Sequence, residues 1–395
     1  MEKTITVSFV LFVLLASFTF YSFTLLESET WKASYIIRST VTYSNQGANI
    51  WNLTEEDRTI SLFMNNTWQT VYLANHSHPL QNVTVDEDGN PIAVLQFQPQ
   101  LDPGKNVSYS VAYQVLSRPH SLPLIMEEES EALANITQDL RQKYCNESYT
   151  WQIGNQKIGE QAHAIAGNET NVLKIVKEFV GWIWRNITYE PHEIPMYPNQ
   201  TLLSGKGDCD DQAILLITFC RILRIPSYLQ IGCIHLPGQY SNNTSWNGHV
   251  TNVARQIGWH GWAMVHIPPW GWLPVDLTYV KGWRGDPLNA IRTGALSSQI
   301  GTIQYMNISE RDYVTSAWAY RELITENGFY IYAEDEMTQT SRQSLWEIII
   351  EKWFYRILII LVVTTCVIIV VYTYVSRAEK MRPKETGNAP EDFHR

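Results

Sequence analysis

Basic residues are scarce in this sequence. The 395 residues include 29 Lys and Arg against 39 Asp and Glu, which gives a formal net charge of −10. No cluster of Lys or Arg occurs outside the C-terminal tail. A protein that binds nucleic acid usually carries a basic face. We therefore expect no nucleic-acid partner.

The sequence also has few charged residues, no internal repeat and no low-complexity tract. Charged residues make up 17% of the chain and apolar residues 45%. This composition excludes a largely disordered chain, and it is sufficient for a sizeable core in two or three domains.

Cysteine is infrequent, with 5 residues in the whole chain. Cys366 lies in an apolar run near the C-terminus. Cys209 and Cys220 fall on one predicted helix about 16 Å apart along its axis, so they cannot form a disulfide with each other. A disulfide from Cys209 to Cys145 or Cys233 stays open as one interpretation of these residues.

Two long runs have no charged residue, Thr4–Leu26 and Ile357–Val375. Each is long enough to cross a bilayer. The first predicts a transmembrane signal anchor over residues 1–26, with a cleaved signal peptide as the alternative. The second predicts a transmembrane helix over 357–375, and the basic residues after it place the tail, 376–395, in the cytoplasm. The sequence thus predicts a two-pass protein of the cell membrane, in contact with the lipid bilayer, with both termini cytoplasmic and its main domains outside.

Sequons for N-glycosylation are dense between the two apolar runs and absent from the tail. This distribution favours an exposed glycoprotein surface at the outside of a cell, and chance matches in a chain rich in Asn and Thr are the alternative. The sequons begin at Asn52, Asn65, Asn75, Asn82, Asn106, Asn135, Asn146, Asn168, Asn186, Asn199, Asn242, Asn243 and Asn307.

The segment 27–117 shows short stretches of alternating apolar and polar residues, separated by turn sequences. This pattern predicts an extracytoplasmic antiparallel β-sandwich. One of the turns, 86–91, is acidic, but it lacks the length and ligand spacing of an EF-hand loop and is predicted to be a hairpin tip. We expect no metal site and no cofactor.

A proline-marked linker follows, and residues 118–340 then show helical patterns before extended ones. This order predicts an α+β core domain. The segment 341–356 is predicted to be membrane-proximal.

The segment 205–226 contains the strongest chemical signal in the chain. Gly205 and Gly207 allow a sharp turn, Asp208 is suited to cap a helix, and a long apolar run follows. Cys209 then lies in the first turn of a helix, where the helix dipole favours a thiolate. Asp210 and Asp211 oppose that effect, so activation of the thiol requires a histidine.

A predicted hairpin about fifty residues later supplies that histidine. The two strands, 262–267 and 272–277, are joined by a tight turn rich in Pro and Gly, which brings His260 and Asp276 near the same end. Asp276 is then able to hold the imidazole in the tautomer that accepts a proton. His249 also lies near the end of an apolar segment and competes for the role of base.

The Gly-Asp-Cys helix start, the His-x-Trp strand and the Trp-x-Pro-Val-Asp strand together resemble the transglutaminase-like superfamily. The resemblance spans about 168–278 and implies a papain-like core in which Cys209, His260 and Asp276 form a catalytic triad. It also implies an aromatic donor for the oxyanion, for which Tyr189 is the nearest fit and Trp184 the second.

The resemblance implies a thiol enzyme that acts on protein or peptide amides through a thioester. Its activity would be that of a cysteine peptidase, a deamidase or a cross-linking acyltransferase. The alternatives are a non-catalytic surface module that uses the same fold and a peptide N-glycanase-like amidase. Four tryptophans and one histidine near the predicted hairpin are candidates to line a substrate groove, although dense tryptophans also occur as simple packing. These residues are Trp259, Trp262, Trp270, Trp272 and His249.

Overall fold

A computed structural model describes residues 33–118, 122–281, 284–294, 301–342, 358, 361–365 and 367–377 of the chain. Contacts divide the chain into two units, one of residues 32–342 and the other of residues 1–31 with 343–395. The sheets that the described residues form lie in the first unit, together with all of the residues predicted to carry chemistry.

The prediction of two membrane-spanning helices is wrong. The described residues near the C-terminus form helix over 361–365 and 367–377. Within the described part of the chain, no helix combines the length and the apolarity needed to cross a bilayer. The fold class with two flanking spans and the two-pass localisation are therefore corrected. Residues 1–32, 343–357 and 378–395 lie outside the described residues, and so does the predicted signal anchor.

One eight-stranded sheet forms the frame of the large unit. Its strand order is β14-β11-β12-β15-β1-β8-β4, and β13 pairs with β12 beside this path. All pairs in it are antiparallel except β12 with β15. The strands of the protein are β1 Ala33–Asn45, β2 Trp51–Asn52, β3 Thr59–Ser61, β4 Gln69–His76, β5 Leu80–Val85, β6 Pro91–Leu95, β7 Gln100–Leu101, β8 Asn106–Ser117, β9 Thr188–Tyr189, β10 Lys206–Gly207, β11 Ser227–Ser245, β12 Val250–Ile267, β13 Gly271–Val275, β14 Thr302–Ile308 and β15 Phe329–Arg342.

The strands predicted to form an N-terminal sandwich pair partly with strands from elsewhere in the chain. Strand β1 pairs with β8 on one side and with β15, from the far end of the unit, on the other. A small sheet of β3, β6 and β5 is also present, and an apolar cluster that includes Tyr35, Trp51 and Phe63 joins residues of both sheets. The predicted boundary between residues 117 and 118 stays a prediction.

Seven α-helices lie in the described part of the large unit. Helix α5 is buried along almost its whole length, because the run from Ala213 to Cys220 is apolar apart from Thr218. It packs with α3 and with Ala263 and Val265 of β12 in the larger apolar cluster. The helices are α1 Gln138–Tyr144, α2 Gln156–Ala166, α3 Val172–Asn186, α4 Pro198–Ser204, α5 Cys209–Ile222, α6 Asn289–Arg292 and α7 Tyr313–Glu326.

Candidate active site

Glycines and a capping box fix the start of helix α5. Gly205 ends α4 in the left-handed conformation, with φ 68°. A Cβ atom on Gly207 would lie 2.8 Å from the Cβ of Asp211, so only glycine fits there. The Asp208 carboxylate accepts a hydrogen bond from the Asp211 amide, and the Asp211 carboxylate accepts one from the Asp208 amide. Cys209 is therefore the first residue of the helix.

A gap in the pairing of β12 receives this helix start. On the side of β12 away from β11, Arg255 is the last residue paired with β15 and Ala263 is the first paired with β13. The backbone amide of Gly261, inside the gap, donates a hydrogen bond to the Cys209 sulfur. A side chain at position 261 would meet the Cβ of Asp210 at 3.1 Å, so glycine allows this close approach. The sulfur thus contacts the residue next to His260.

His260 and Asp276 form a buried hydrogen-bonded pair. The distance from His260 Nε2 to Asp276 Oδ2 is 2.8 Å, and Asp276 is fully buried. The other carboxylate oxygen of Asp276 accepts hydrogen bonds from the amides of Thr278 and Tyr279, both at 3.0 Å. When His260 Nε2 carries its proton toward this carboxylate, Nδ1 is the ring nitrogen that is able to accept another proton.

The electrostatic surroundings of Cys209 favour the neutral thiol. Burial raises the pKa of Cys209 well above its usual range, and the charges of Asp210 and Asp208 raise it further. The hydrogen bond from Gly261 lowers this pKa but does not outweigh them. The distance from the sulfur to Asp210 Oδ1 is 3.8 Å. A reaction at this sulfur therefore requires a base to remove its proton.

Two of the neighbouring acids are held by specific partners. Burial and the nearby charge of Asp208 raise the pKa of Asp210, and the Tyr313 hydroxyl donates to its Oδ2 at 3.0 Å. Burial likewise raises the pKa of Asp211 to about 6. Asp211 accepts a hydrogen bond from the amide of Met196 at 2.6 Å, and its other oxygen lies 2.9 Å from His192 Nδ1.

Sequence reasoning identified the acids next to Cys209 but missed their partners. The run Gly-Asp-Cys-Asp-Asp already showed that carboxylates oppose a thiolate at this position. Tyr313 lies 103 residues from Asp210 along the chain. Neither its spacing nor its neighbouring residues indicated a contact with Asp210. His192 was likewise unmarked, although it is close in sequence to the predicted donor Tyr189.

The two aromatic residues proposed as oxyanion donors lie in different settings. Tyr189 in β9 pairs with Gly207 in β10, two residues before Cys209, and it is 51% exposed. Burial, followed by the negative charge of a Cys209 thiolate, raises the pKa of Tyr189 to about 12. The indole N–H of Trp184, in contrast, donates to the carbonyl oxygen of Leu277 at 2.8 Å.

The residues proposed to line a groove are dispersed. Trp262 is fully buried beside His260, with 5.8 Å between the ring centroids. Trp259 directly precedes His260 on β12, and its indole N–H donates a hydrogen bond to Asp335 Oδ2 at 2.8 Å. Trp270 packs against the larger apolar cluster. Trp272 packs on Tyr144 and Tyr228.

His249 also lies apart from the thiol. Its Nδ1 is 2.7 Å from the carbonyl oxygen of Phe329, and its ring stacks on Tyr330 with 4.4 Å between centroids. It lies 11 positions before His260 along the chain, which corresponds to roughly 36 Å in an extended strand.

All four cysteines in the described part of the chain are free thiols. Cys145, Cys220 and Cys233 are buried, whereas Cys209 is partly exposed. The interpretation of Cys209 as a half-cystine therefore does not hold in this structure.

One group of residues has metal-ligating atoms close together. Asp208, Cys209 and Asp210 bring one such atom each to within 4.8 Å of one another. Asp208 already caps α5 and Asp210 already accepts from Tyr313. Three neighbours on one helix end do not by themselves define a metal site, and no role for an ion follows from them.

Residues 159–277 match the sequence model of the transglutaminase-like superfamily. No curated protein matches the chain. Among solved structures, a candidate cysteine protease from Cytophaga hutchinsonii has 16% identity and a TM-score of 0.48, covering 78% of this chain and 91% of its own. A candidate protease from Parabacteroides distasonis has 11% identity and a TM-score of 0.22, covering 62% of this chain and 67% of its own. Legionella pneumophila LapG has 14% identity and a TM-score of 0.26, covering 48% of this chain and 92% of its own. Residues 159–277, which include Cys209, His260 and Asp276, are a transglutaminase-like superfamily domain.

Proposed function

We propose that the protein is a cysteine peptidase that hydrolyses amide bonds of proteins or peptides. The observation that carries the proposal is the 2.8 Å hydrogen bond between His260 and Asp276, next to the Gly261 amide that contacts the Cys209 sulfur. A nucleophile, a base and a carboxylate that orients the base are the three parts that thiol catalysis needs.

We assign the following roles to these residues. In the first half-reaction the Cys209 sulfur attacks the carbonyl carbon and its proton passes to His260 Nδ1. The tetrahedral intermediate collapses when His260 returns this proton to the amine that departs, leaving a thioester. In the second half-reaction His260 takes a proton from water, the resulting hydroxide attacks the thioester, and the acid product and the Cys209 thiol are released.

The raised pKa of Cys209 gives His260 a necessary part in the first step. Because burial and two carboxylates keep the sulfur protonated, few molecules carry a thiolate before the substrate binds. Transfer of the proton to His260 must then accompany attack. Asp276 stabilises the imidazolium that forms, since it accepts from Nε2 and is itself held by two backbone amides.

Tyr189 is the residue that we propose as donor to the oxyanion. It lies on the strand beside Gly207, its hydroxyl is partly exposed, and its pKa responds to charge on Cys209. A neutral phenol near the sulfur is able to donate a hydrogen bond to the developing negative charge. Trp184 is less suited because its N–H already has a backbone acceptor.

The acceptor of the acyl group decides between the related activities. Water gives peptide hydrolysis or deamidation, whereas a lysine-type amine gives cross-linking. One assay with a fluorescein-labelled casein substrate, a free fluorescent alkylamine and an ammonia sensor distinguishes the three outcomes. We expect new peptide ends rather than incorporated amine.

The decisive experiment compares the full chain with Cys209→Ala. We expect iodoacetamide-sensitive hydrolysis that Cys209→Ala abolishes and that Cys233→Ala, a change at a buried thiol, retains. A bulky fluorescent iodoacetamide should label Cys209 ahead of Cys145, Cys220 and Cys233, which are buried. Full hydrolysis by Cys209→Ala would exclude the proposal.

A non-catalytic binding module is the second candidate, and the acid-crowded thiol is the observation that favours it. A sulfur whose pKa is raised by burial and by Asp210 is a poor nucleophile in the absence of its base. If the folded wild-type chain shows no turnover and no labelling at Cys209, the binding function is preferred. Release of glycan with conversion of Asn to Asp would instead indicate N-glycanase-like action.

A further inference from the structure

A cavity lies elsewhere in the same unit. It has a volume of about 240 Å³, below the roughly 300–1,000 Å³ typical of pockets for drug-sized ligands. Aromatic side chains from α1, β11 and β13 line one part of it, and residues of the acidic 86–91 turn and of the end of β14 line another. The lining includes Tyr144, Tyr228, Trp272, Asp88, Asn307 and Glu310.

The aromatic part of the cavity consists of three rings in mutual contact. The centroid of Trp272 lies 4.8 Å from those of Tyr144 and Tyr228, and these two tyrosines are 5.7 Å apart. Ring faces attract cations, most strongly where water is partly excluded. Lys143 already shows this behaviour, since its ammonium lies 5.1 Å from the centroid of Tyr144.

The polar part of the cavity contains acceptors that lack donors. Asp88 Oδ1 accepts hydrogen bonds from the amides of Ser309 and Glu310. Among the described residues, neither Asp88 Oδ2 nor the side-chain oxygen of Asn307 has a hydrogen-bond partner, although both atoms are buried. Buried acceptors are nearly always paired with a donor in folded proteins. Both residues line the cavity, and a ligand with N–H groups would complement this polar lining.

The nearby arginines do not supply those donors. The guanidinium of Arg221 donates to the carbonyl oxygens of Ser227, Asn146 and Ser309. The Arg311 guanidinium forms ion pairs with two carboxylates, at 3.1 Å from Nη2 to Glu56 Oε1 and at 3.9 Å from Nε to Glu87 Oε1. The cavity is thus bordered by ring faces and carboxylates, with Lys143 as the cation among its lining residues.

We propose that this cavity binds the basic side chain of a protein partner, with the alkyl stem on the three rings and the charged group against Asp88 and Glu310. Both a lysine ammonium and an arginine guanidinium have the required N–H donors on an apolar stem. A quaternary ammonium has the charge but no N–H donor, so it leaves the buried oxygens unpaired. The volume fits one side chain rather than a larger ligand.

This site is separate from the thiol. Tyr228 pairs with Met264 and Trp272 pairs with His266 across the sheet. These positions lie four and six residues beyond His260 on β12, which corresponds to roughly 13–20 Å along an extended strand. Binding at the cavity does not require the proposed cysteine chemistry.

The test uses four small probes and the full chain. Saturation-transfer NMR would measure binding of the N-acetyl methylamides of lysine, arginine and norleucine, and of choline. We expect saturable binding of lysine, arginine or both, and binding of norleucine and choline that is weaker by at least about fivefold. Equal binding of norleucine would overturn the proposal, and so would the absence of saturable binding by both basic probes.

Variants assign the binding to this cavity. Asp88→Asn keeps an oxygen for the amides of Ser309 and Glu310 but removes the charge. This variant should lower the affinity for the basic probe roughly fivefold. Glu310→Gln, at an exposed position, is a second charge-removing variant that does not depend on the fold of the turn. Lys143→Gln removes the resident cation and should tighten binding. Unchanged affinity in all three folded variants would place the basic probe elsewhere and overturn the proposal.

Discussion

Acidic side chains gather at two places in the large unit, and their surroundings are opposite. Around Cys209, hydrogen bonds and a cap engage Asp208, Asp210 and Asp211, so the carboxylates face partners inside the protein. At the cavity lined by Tyr144, Tyr228 and Trp272, one oxygen of Asp88 has no hydrogen-bond partner among the described residues, and Glu310 is exposed. The first arrangement raises the pKa values of Asp210 and Asp211, whereas the second places carboxylates in the lining of a cavity.

The surroundings of a carboxylate determine whether its charge acts on neighbouring groups in the protein or on a ligand. A carboxylate enclosed with other carboxylates becomes hard to ionise and changes the pKa of its neighbours, as Asp210 does for Cys209. A carboxylate that lines a cavity beside aromatic rings is instead placed to meet an incoming cation. Substitutions that change single side-chain atoms around Cys209 should separate the effects of this site on activity, thiol pKa and stability.

The largest expected effect comes from Asp276→Asn. The amide keeps an acceptor for Thr278 and Tyr279 but removes the carboxylate that orients His260 and stabilises its charged form. We expect kcat for peptide hydrolysis to fall by about 10²–10⁴-fold. Steady-state kinetics would measure this, with Asp102→Asn in an exposed turn as the control. A loss below about threefold would show that Asp276 does not serve the reaction.

Tyr189→Phe is expected to have the next largest effect. The change removes one hydroxyl from a residue that is 51% exposed, so the fold should be unaffected. If the hydroxyl donates to the oxyanion, kcat should fall by about a hundredfold while KM changes little. Tyr149→Phe, at a residue that is 77% exposed, is the matched control. An unchanged kcat would assign oxyanion stabilisation to another group.

Asp210→Asn tests the electrostatic side of the comparison. Asp210 is the largest contributor after burial to the raised pKa of Cys209, so removal of its charge should lower that pKa. We expect the alkylation rate of Cys209 by iodoacetamide at pH 8 to rise, because a lower pKa increases the fraction of reactive thiolate. Glu190→Gln is the control, since this nearby acid pairs with Lys206 at 2.7 Å. A thiol pKa that stays the same or rises would contradict the account.

Two local features near Cys209 were predictable from the sequence. The Gly-Asp-Cys start of a helix, with Asp208 as its cap, appears as expected because capping depends on residues three positions apart. His260 and Asp276 lie 16 residues apart in a hairpin, and their pairing follows from the short turn between β12 and β13. Both features are local in the chain.

Features that depend on distant residues were not predictable in the same way. Strand β1 pairs with β15 about 300 residues later, so the N-terminal strands share a sheet with the far end of the unit. The contact of Tyr313 with Asp210 and the meeting of the 86–91 turn with Trp272 likewise join remote segments. Apolar composition alone predicted two membrane spans, and the described helices do not contain one.

Asp211→Asn is expected to have the smallest effect, visible in the pH dependence of stability. Burial raises the folded-state pKa of Asp211 from an ordinary value of 3.8 to about 6, so the folded protein holds this proton more tightly than the unfolded chain. The stabilisation from this proton is complete below about pH 3.8 and is lost as the pH rises through about 6. The variant has no such proton to lose.

The measurement is the difference in Tm between variant and wild type. Asp211→Asn keeps one oxygen and is therefore able to accept from only one of the Met196 and Asp208 amides, so its Tm should be lower at acidic pH. Between pH 4 and pH 8 the variant should recover a few degrees relative to the wild type. Asp102→Asn, in an exposed turn, should show a flat difference over this range. A difference for Asp211→Asn that is also flat, or that grows with pH, would mean that Asp211 is charged in the folded protein at all of these pH values, because only a carboxyl that titrates near pH 6 changes its contribution there.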